Sequence, residues 1–555
     1  MKEKFTVRCM DCNTEAPYLF NQPACPNCGS LWRDAIYDTS TIALTYIAEW
    51  SKRPFDLWRY FELLPLQTRF PELYLGEGGT PLLKATNLGS MIGCKNIYIK
   101  DERQGPTASF KDRQAAVTIA ALKEAGVNEM VVASTGNVAI AYSAYAARAG
   151  IKLWAFLTSL VPAEKMREVA IYGTQVIKVT GSYDQTKKIA SEFASQRNIF
   201  YDLGARNIPC IEAMKTIAFE IAEQLSASMG PGNSFPLRAP DWYIQSVSGG
   251  MGPLGVIKGF MELKAMNLID KVPKIAVVQV AGCAPMVNAW QLNQENATPV
   301  SNPKTLIETL ATGDPGRSYT LLRKRMLENN SGTFVASSDE DTFRAMHLLA
   351  KMEGLSVEPA AAVAFSGLIQ ILRNGQIMPD DIVVVNNTGH TFPIESAVLG
   401  EGWSYDIDLA HPALQESQEE GLLAALSKVA SDRYPRVLII DDLPEARRLL
   451  RRILQSQGNF TLFEAENGKE GIHIAIQEKP NLILLDLMMP EMDGFAVMEA
   501  LQNNKATGDI PIVVVTAKEL TAVEKQRLHG RIQNLLQKGD FISEELQAEV
   551  KSLLS

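Results

Sequence analysis

From about Tyr37 to Tyr405 short β-branched runs alternate with segments of helical length. Ile97–Lys100, Glu129–Ala133, Lys152–Phe156, Gln175–Val179, Lys274–Val280 and Asp381–Val385 read as strands, because Val and Ile pack well on a pleated, buried surface. Strands spaced by helices in this way predict an α/β fold with parallel sheets covered on both faces, and ligands at the carboxyl ends of the strands. A second α/β pattern opens at Arg436, with the apolar runs Arg436–Asp442, Leu482–Asp486 and Pro511–Thr516. The stretch before it is polar around Gln415–Glu420 and carries one predicted helix, Leu422–Ala430, so it reads as a linker. The boundaries expected are 1–36 for a cysteine-bearing segment, 37–405 for the first α/β domain, 406–435 for the linker and 436–555 for the second α/β domain.

Length agrees with this division, since 555 residues exceed what one core normally holds. A hydrophobic content of 46% with 21% charged residues is ordinary for a globular protein, and the net charge of -9 argues against nucleic acid as a partner. No run is apolar for long enough to span a membrane, and Met1–Arg8 lacks the apolar core of a signal peptide, so a cytoplasmic protein without a membrane partner is expected. Of seven cysteines, four fall in the first 28 residues, as Cys9-x2-Cys12 and Cys25-x2-Cys28. Two such knuckles offer four thiolates to one tetrahedral zinc ion, predicting a zinc-ribbon-like hairpin with no open coordination position for catalysis.

The segment Gln104–Arg113 centres on Lys111. Gly105-Pro106 reads as a turn, Thr107 and Ser109 as candidate helix caps, and Phe110–Lys123 as a helix with Lys111 in its first turn, where the dipole eases loss of the amine's proton. A strand ends in Ala133-Ser-Thr-Gly-Asn137 before the small-residue helix Val138–Ala149, an arrangement of hydroxyls and free amides suited to an anion. Gln245–Gly255 is a glycine-rich loop between a strand and the predicted helix Val256–Lys264, suited to a phosphate. Asn386-Asn-Thr-Gly-His390 closes the last strand of the first α/β pattern.

The run Pro106-Thr-Ala-Ser-Phe-Lys-Asp-Arg113 resembles the cofactor-lysine motif of threonine synthases within the fold-type II pyridoxal-phosphate family, and the three later segments match that family in the same order. The resemblance implies two parallel-sheet subdomains. It makes Lys111 the Schiff-base lysine and general base, and Asn137 the partner of the cofactor's ring oxygen. Ser248, Gly249, Gly250, Met251 and Gly252 would hold the phosphate of pyridoxal phosphate, and Ser134, Thr135 and Gly136 the substrate carboxylate. Thr388 would face the pyridine nitrogen, where a neutral hydroxyl can donate without forcing a charge onto the ring. Asn207–Leu225 is similar to a further threonine synthase signature through Glu212, Lys215 and Thr216, with Ala213 where the family has glycine. The reaction implied converts O-phosphohomoserine and water to threonine and phosphate. A cysteate synthase-like or dehydratase-like replacement or elimination, and a metabolite-binding signalling protein without catalysis, are the alternatives. Similar ribbons precede the catalytic domain in many threonine synthases, and relatives of this fold are commonly homodimers. The chain departs from the family at Gly105, where asparagine is usual, in a phosphate loop poorer in asparagine, and in Thr391-Phe-Pro-Ile after His390.

In the second α/β domain Asp441, Asp442 and Asp486 end neighbouring apolar runs, and converging carboxylates call for a cation such as magnesium. This domain resembles response-regulator receiver domains over essentially its whole length, including Met488-Met-Pro-Glu-Met-Asp-Gly494. The resemblance implies a (βα)5 flavodoxin-like fold with Asp486 as phosphoacceptor, Met488 beside it, and magnesium on Asp441, Asp442 and Asp486. It also implies Thr516 and Lys538 on the phosphoryl group and a sensor histidine kinase as donor. Gly539 and Leu535 replace the usual proline and aromatic residue.

Overall fold

The computed structural model describes residues 4–390 and 435–537, with interruptions at 159–160, 181–182, 228–236, 456–459, 517–519, within 522–533 and at a few single positions, Thr135 among them. The linker with its predicted helix Leu422–Ala430, Thr391–Ile394, Lys538 and Gly539 lie outside the described residues. The chain divides into two compact units, the first built from 1–85, 96–350 and 355–394.

The first unit opens with a three-stranded antiparallel sheet of β1 (Phe5–Cys9), β2 (Glu15–Ala16) and β3 (Arg33–Tyr37), in the order β2-β1-β3. Two larger sheets follow. One has the order β12-β11-β10-β13-β5-β4, built from β4 (Leu82–Lys84), β5 (Ile97–Asp101), β10 (Trp242–Ser246), β11 (Lys274–Val280), β12 (Gly332–Ser337) and β13 (Val383–Asn387). All its neighbours are parallel except the edge strand β4. The other is parallel, β8-β7-β6-β9, from β6 (Glu129–Ser134), β7 (Lys152–Thr158), β8 (Gln175–Val179) and β9 (Phe200–Tyr201). The predicted parallel α/β architecture is therefore present.

The order of the six-stranded sheet positions the site. β13 is its last strand in sequence, yet it inserts between β10 and β5, with Val383 opposite both Trp242 and Ile97. Strand order reverses at such a point, and loops at the carboxyl ends splay apart to leave a crevice.

Around the sheets lie helices whose buried faces carry charge as well as apolar residues. Arg113, two residues beyond Lys111, is fully buried and donates to Glu102 at 2.8 Å and to Glu220 at 2.6 and 2.8 Å, while Lys100 Nζ reaches Glu220 at 2.6 Å. Buried ions persist only when matched in this way. The carboxylates hold the guanidinium well above its ordinary pKa against the opposing effect of burial. Glu212 and Lys215 are likewise buried and pair at 2.6 Å, in a cluster with Lys258, Glu262 and Asp34, and Thr216 accepts from Arg113.

Most element ends fall within two residues of the sequence reading, the last core strand being Val383–Asn387 where Asp381–Val385 was expected; two differences bear on the site. The helix after the glycine-rich loop is Met251–Ala265 and begins five residues before the predicted Val256. The helix bearing Lys111 is Lys111–Glu124, but neither Thr107 nor Ser109 caps it: Phe110 stands at the N-cap position without a side-chain bond. Instead the amide and hydroxyl of Thr107 donate to Asp112 at 3.0 and 2.5 Å.

The second unit carries a parallel sheet of order β15-β14-β16-β17-β18, from β14 (Arg436–Ile440), β15 (Thr461–Ala465), β16 (Leu482–Leu485), β17 (Ile512–Thr516) and β18 (Asn534–Gln537). This is the flavodoxin-like order expected. Helices Pro444–Gln455, Gly468–Glu478 and Gly494–Gln502 connect its strands.

Candidate active site and receiver site

Lys111, the Ser248–Gly252 turn and Thr388 follow β5, β10 and β13, three adjacent strands, and all line one cavity of about 110 Å³. The loops are stitched together by backbone. Phe110 N–H donates to the Thr388 carbonyl at 3.0 Å, His390 N–H donates to the Ala108 carbonyl at 3.0 Å, and Ser109 bridges Gly389. Ala108 holds φ +55°, a left-handed backbone that a residue with a Cβ seldom adopts and that surrounding contacts must enforce.

Burial lowers the Lys111 amine to about 8, opposed by the negative fields of the Asp202 and Glu358 carboxylates. Among the described residues the amine makes no ion pair, and it sits 4.4 Å from the centre of the Phe110 ring. Burial also lifts the Asp112 carboxyl to about 7, in spite of the two bonds from Thr107.

On the opposite wall Gly250 takes φ +82° and stands at the N-cap of Met251–Ala265. The amides of Met251 and Gly252 therefore belong to the first turn of a helix, whose positive dipole end and unpaired N–H groups attract an anion. A Cβ on Gly249 would meet only open space, and Ser248 is hydrogen-bonded through its hydroxyl to Thr312. Ser246 lines the cavity with a buried hydroxyl that has no hydrogen-bond partner among the described residues. A cradle of amides, an unpartnered hydroxyl and a desolvated amine fit a phosphorylated aldehyde.

The other sequence candidates are placed as follows. Asn137 lines the cavity, and its Nδ2 donates to both oxygens of Glu358 at 2.8 and 3.0 Å while its Oδ1 accepts from Lys165 at 3.2 Å. Ser134 is buried and accepts from the amides of Gly136 and Ala139 at 3.0 and 3.1 Å, which makes it a cap for the helix Asn137–Ala149. Thr135 lies outside the described residues. Glu358 was not legible beforehand: it is buried, lines the cavity and receives Asn137 from 221 residues away. Its only sequence mark is the Pro359 that starts the following helix.

A wider cavity of about 510 Å³ shares Lys111, Ser248 and Gly249 with the first. Its wall carries four cations, Lys111, Lys187, Arg206 and Arg317, against two carboxylates, Asp202 and Asp314. Asp202 is occupied structurally, accepting from Gln114 and Gly204 at 3.1 and 2.9 Å and from Asn207.

The sequence model of the family described as pyridoxal-phosphate dependent enzyme matches residues 73–389. The chain belongs to the pyridoxal-phosphate dependent enzyme family. Threonine synthase of Methanosarcina acetivorans is 33% identical over 71% of this chain and 94% of its own length, and that of Methanocaldococcus jannaschii is 34% identical over 65% and 87%. The first unit is thus a pyridoxal-phosphate dependent enzyme of the α/β fold-type II class related to threonine synthases, which are lyases, and its cofactor is pyridoxal phosphate. The solved structure of diaminopropionate ammonia lyase from Escherichia coli in complex with D-serine shares its fold, with a TM-score of 0.51 at 16% identity over 60% of this chain and 90% of that one.

The response regulator receiver domain matches residues 437–551, so the pyridoxal-phosphate dependent enzyme carries a receiver, which implies a phosphodonor partner. Carboxylate oxygens of Asp441, Asp442 and Asp486 lie within 4.8 Å of one another at the ends of β14 and β16. Asp442 Oδ1 is buried without a hydrogen-bond partner among the described residues, as a cation ligand would be. Thr516 ends β17, next to β16. Met488 is exposed, and its amide donates to Asp486 Oδ1 at 3.3 Å. A Cβ on Gly494 would meet the Asp486 carbonyl at 2.3 Å, so the glycine of that motif allows the following helix to approach the Asp486 backbone.

The ribbon brings its four thiols together. Cys9 and Cys28 sulfurs are 3.5 Å apart, and those of Cys12 and Cys25 3.6 Å. Tetrahedral zinc bonded to sulfur at about 2.3 Å requires edges of roughly 3.8 Å, so the set fits the ion closely. Among the described residues no helix is long and apolar enough to cross a membrane.

Proposed function

We propose that the enzyme converts O-phosphohomoserine and water to threonine and inorganic phosphate under the control of its receiver. What carries the reading is that Lys111, the Ser248–Gly252 turn and Thr388 wall one cavity, in a chain related over most of its catalytic length to threonine synthases. Bound there, pyridoxal phosphate supplies an electron sink that acidifies carbon–hydrogen bonds of an amino acid. The Ser248–Gly252 turn and the helix dipole would hold its phosphate, and the Thr388 hydroxyl would donate to its ring nitrogen. Asn137, held by Glu358 through its Nδ2, would donate to the ring oxygen. Lys111 anchors the aldehyde and then, as a free amine, takes and returns protons at the substrate carbons, a role suited to a pKa near 8. Ser134 and Gly136 precede the helix Asn137–Ala149, whose dipole would receive the substrate carboxylate, a role assigned to Thr135 as well. The cationic excess of the wider cavity suits the phosphate that leaves.

In the receiver, Asp441, Asp442 and Asp486 would hold a magnesium ion, which would offset the charge of an incoming phosphoryl group. An Asp486 oxygen attacks phosphorus, the bond to the donor histidine nitrogen of a sensor kinase breaks, and Thr516 and Lys538 bond the transferred oxygens. The added charge, up to about -2 at neutral pH, biases the enzyme's activity. Four reduced thiolates on one zinc ion and a phosphorelay partner support a cytoplasmic location.

Phosphate release from O-phosphohomoserine by the coenzyme-loaded protein tests this function. Release with threonine formation is expected; turnover of phosphoserine or threonine without it would transfer the reading to another replacement or elimination.

A further inference from the structure

The cysteine ribbon reaches the wider cavity through one ion pair. Asp11, inside the Cys9–Cys12 knuckle, has Oδ1 2.5 Å from Arg317 Nη1, and Arg317 lines that cavity together with Trp32 of the ribbon. The guanidinium carbon stands 5.9 Å from the centre of the Trp32 ring. Arg317 is also the first residue of the helix Arg317–Glu328, and Gly316 and Ser318 beside it line the same wall. At the other end of that helix Arg325 Nη2 meets Asp34 Oδ2 of β3 at 2.7 Å, and its Nη1 donates to the Leu254 carbonyl at 3.0 Å. The ribbon thus holds this cavity wall at both ends.

As a stability device the Asp11–Arg317 pair is weak, because both side chains are more than a third exposed. As a positioning device it is effective. A guanidinium has five N–H donors in a fixed plane, and a carboxylate on one edge orients the others. We propose that the knuckle is part of the substrate site: Asp11 positions Arg317 so that its remaining donors meet the anionic end of the substrate in the cavity beside Lys111. The inference rests on the reading of a phosphorylated substrate given above. Asp11 is a positioning residue, and Arg317 contacts the anion.

Two effects of removing Asp11 oppose each other. Loss of its charge strengthens anion binding by about threefold or less at the water-like dielectric of this rim, whereas release of the guanidinium weakens it by about tenfold or more. Orientation wins.

The test is titration of inorganic phosphate into the coenzyme-loaded full chain by calorimetry, with zinc content and coenzyme absorbance as controls; every variant keeps all four cysteines. Arg317→Gln is expected to raise the phosphate Kd about tenfold or more and Asp11→Asn about fivefold, with Asp11→Glu restoring most of the loss. In the Arg317→Gln background, Asp11→Asn is expected to weaken binding no further. With O-phosphohomoserine, Asp11→Asn raises KM more than it lowers kcat. An unchanged Kd in Arg317→Gln, an Asp11→Asn loss that persists in full without Arg317, or a wild-type protein that binds no phosphate overturns the inference. Phosphate binding that falls as expected in a protein inactive on O-phosphohomoserine sustains the inference and removes the substrate reading instead.

Discussion

The amide of Phe110 donates to the carbonyl of Thr388 at 3.0 Å, tying the residue before the site lysine to a residue 278 positions later on the neighbouring strand end. This bond locks the Lys111 loop to the Thr388 loop, so neither wall of the cavity shifts alone. Gly389 completes the join: a Cβ there would meet Glu358 Oε1 at 2.5 Å and Asn137 Nδ2 at 3.2 Å. Gly389→Ala is therefore expected to weaken coenzyme binding about tenfold, because displacing two cavity residues costs orientation that binding must restore. Absorbance titration with pyridoxal phosphate measures it, and unchanged affinity would mean that the join is slack.

Arg113 gives a stability prediction. Arg113→Met leaves Glu102 and Glu220 buried with Lys100 as their nearest cation, and is expected to cost about 3 to 5 kcal/mol in urea unfolding of the coenzyme-free protein. A loss below about 1 kcal/mol would mean that water reaches the cluster.

Lys111 gives a pH dependence. Its folded pKa of about 8 lies below its ordinary value of 10.5, so the folded chain binds fewer protons than the unfolded chain between those limits. Stability of the coenzyme-free protein then rises with pH through that window, and the cost of burying the charge is fully present below pH 8. Lys111→Met is expected to stabilise this form by about 3 kcal/mol at pH 7, with the gain fading towards pH 10.5. A gain independent of pH would point to packing instead of charge.

How much of this was legible in sequence follows from range. The strands were legible to within two residues, since Ile97–Ile99 and Ile382–Val385 are β-branched and aromatic runs suited to a buried parallel sheet, which in the fold form Ile97–Asp101 and Val383–Asn387. The motifs at their ends were legible as well, because each is contiguous. The start of Met251–Ala265 was not, because Gly252, Pro253 and Gly255 look like breakers. In the fold Pro253 lies in the first turn, where its missing N–H costs nothing, and a Cβ on Gly252 or Gly255 would strike Gln245 at 2.3 Å or Met214 at 2.5 Å. Glu358 with Asn137, Arg113 with Glu220, and Asp11 with Arg317 escaped because charged side chains far apart in sequence carry no sign of which partner they meet.

The four thiols predict one zinc ion per chain. Elemental analysis of the purified protein should find it, and Cys12→Ser should lose most of it. Retention of zinc by that variant would place the metal elsewhere.

The receiver predicts that acetyl phosphate with magnesium labels the wild-type chain, and that Asp486→Asn or omission of magnesium abolishes labelling on a phosphate-affinity gel. Labelling of Asp486→Asn at the wild-type level would move the acceptor to another residue.

The central claim is that Lys111 is the amine on which this chemistry turns. Phosphate release from O-phosphohomoserine, measured for the coenzyme-loaded wild type and for Lys111→Ala with and without acetyl phosphate, tests it most directly. The account predicts release with threonine formation by the wild type at a rate that changes on phosphorylation, and none above background for Lys111→Ala. Equal release by Lys111→Ala, or none by the loaded wild type in either state, would contradict it.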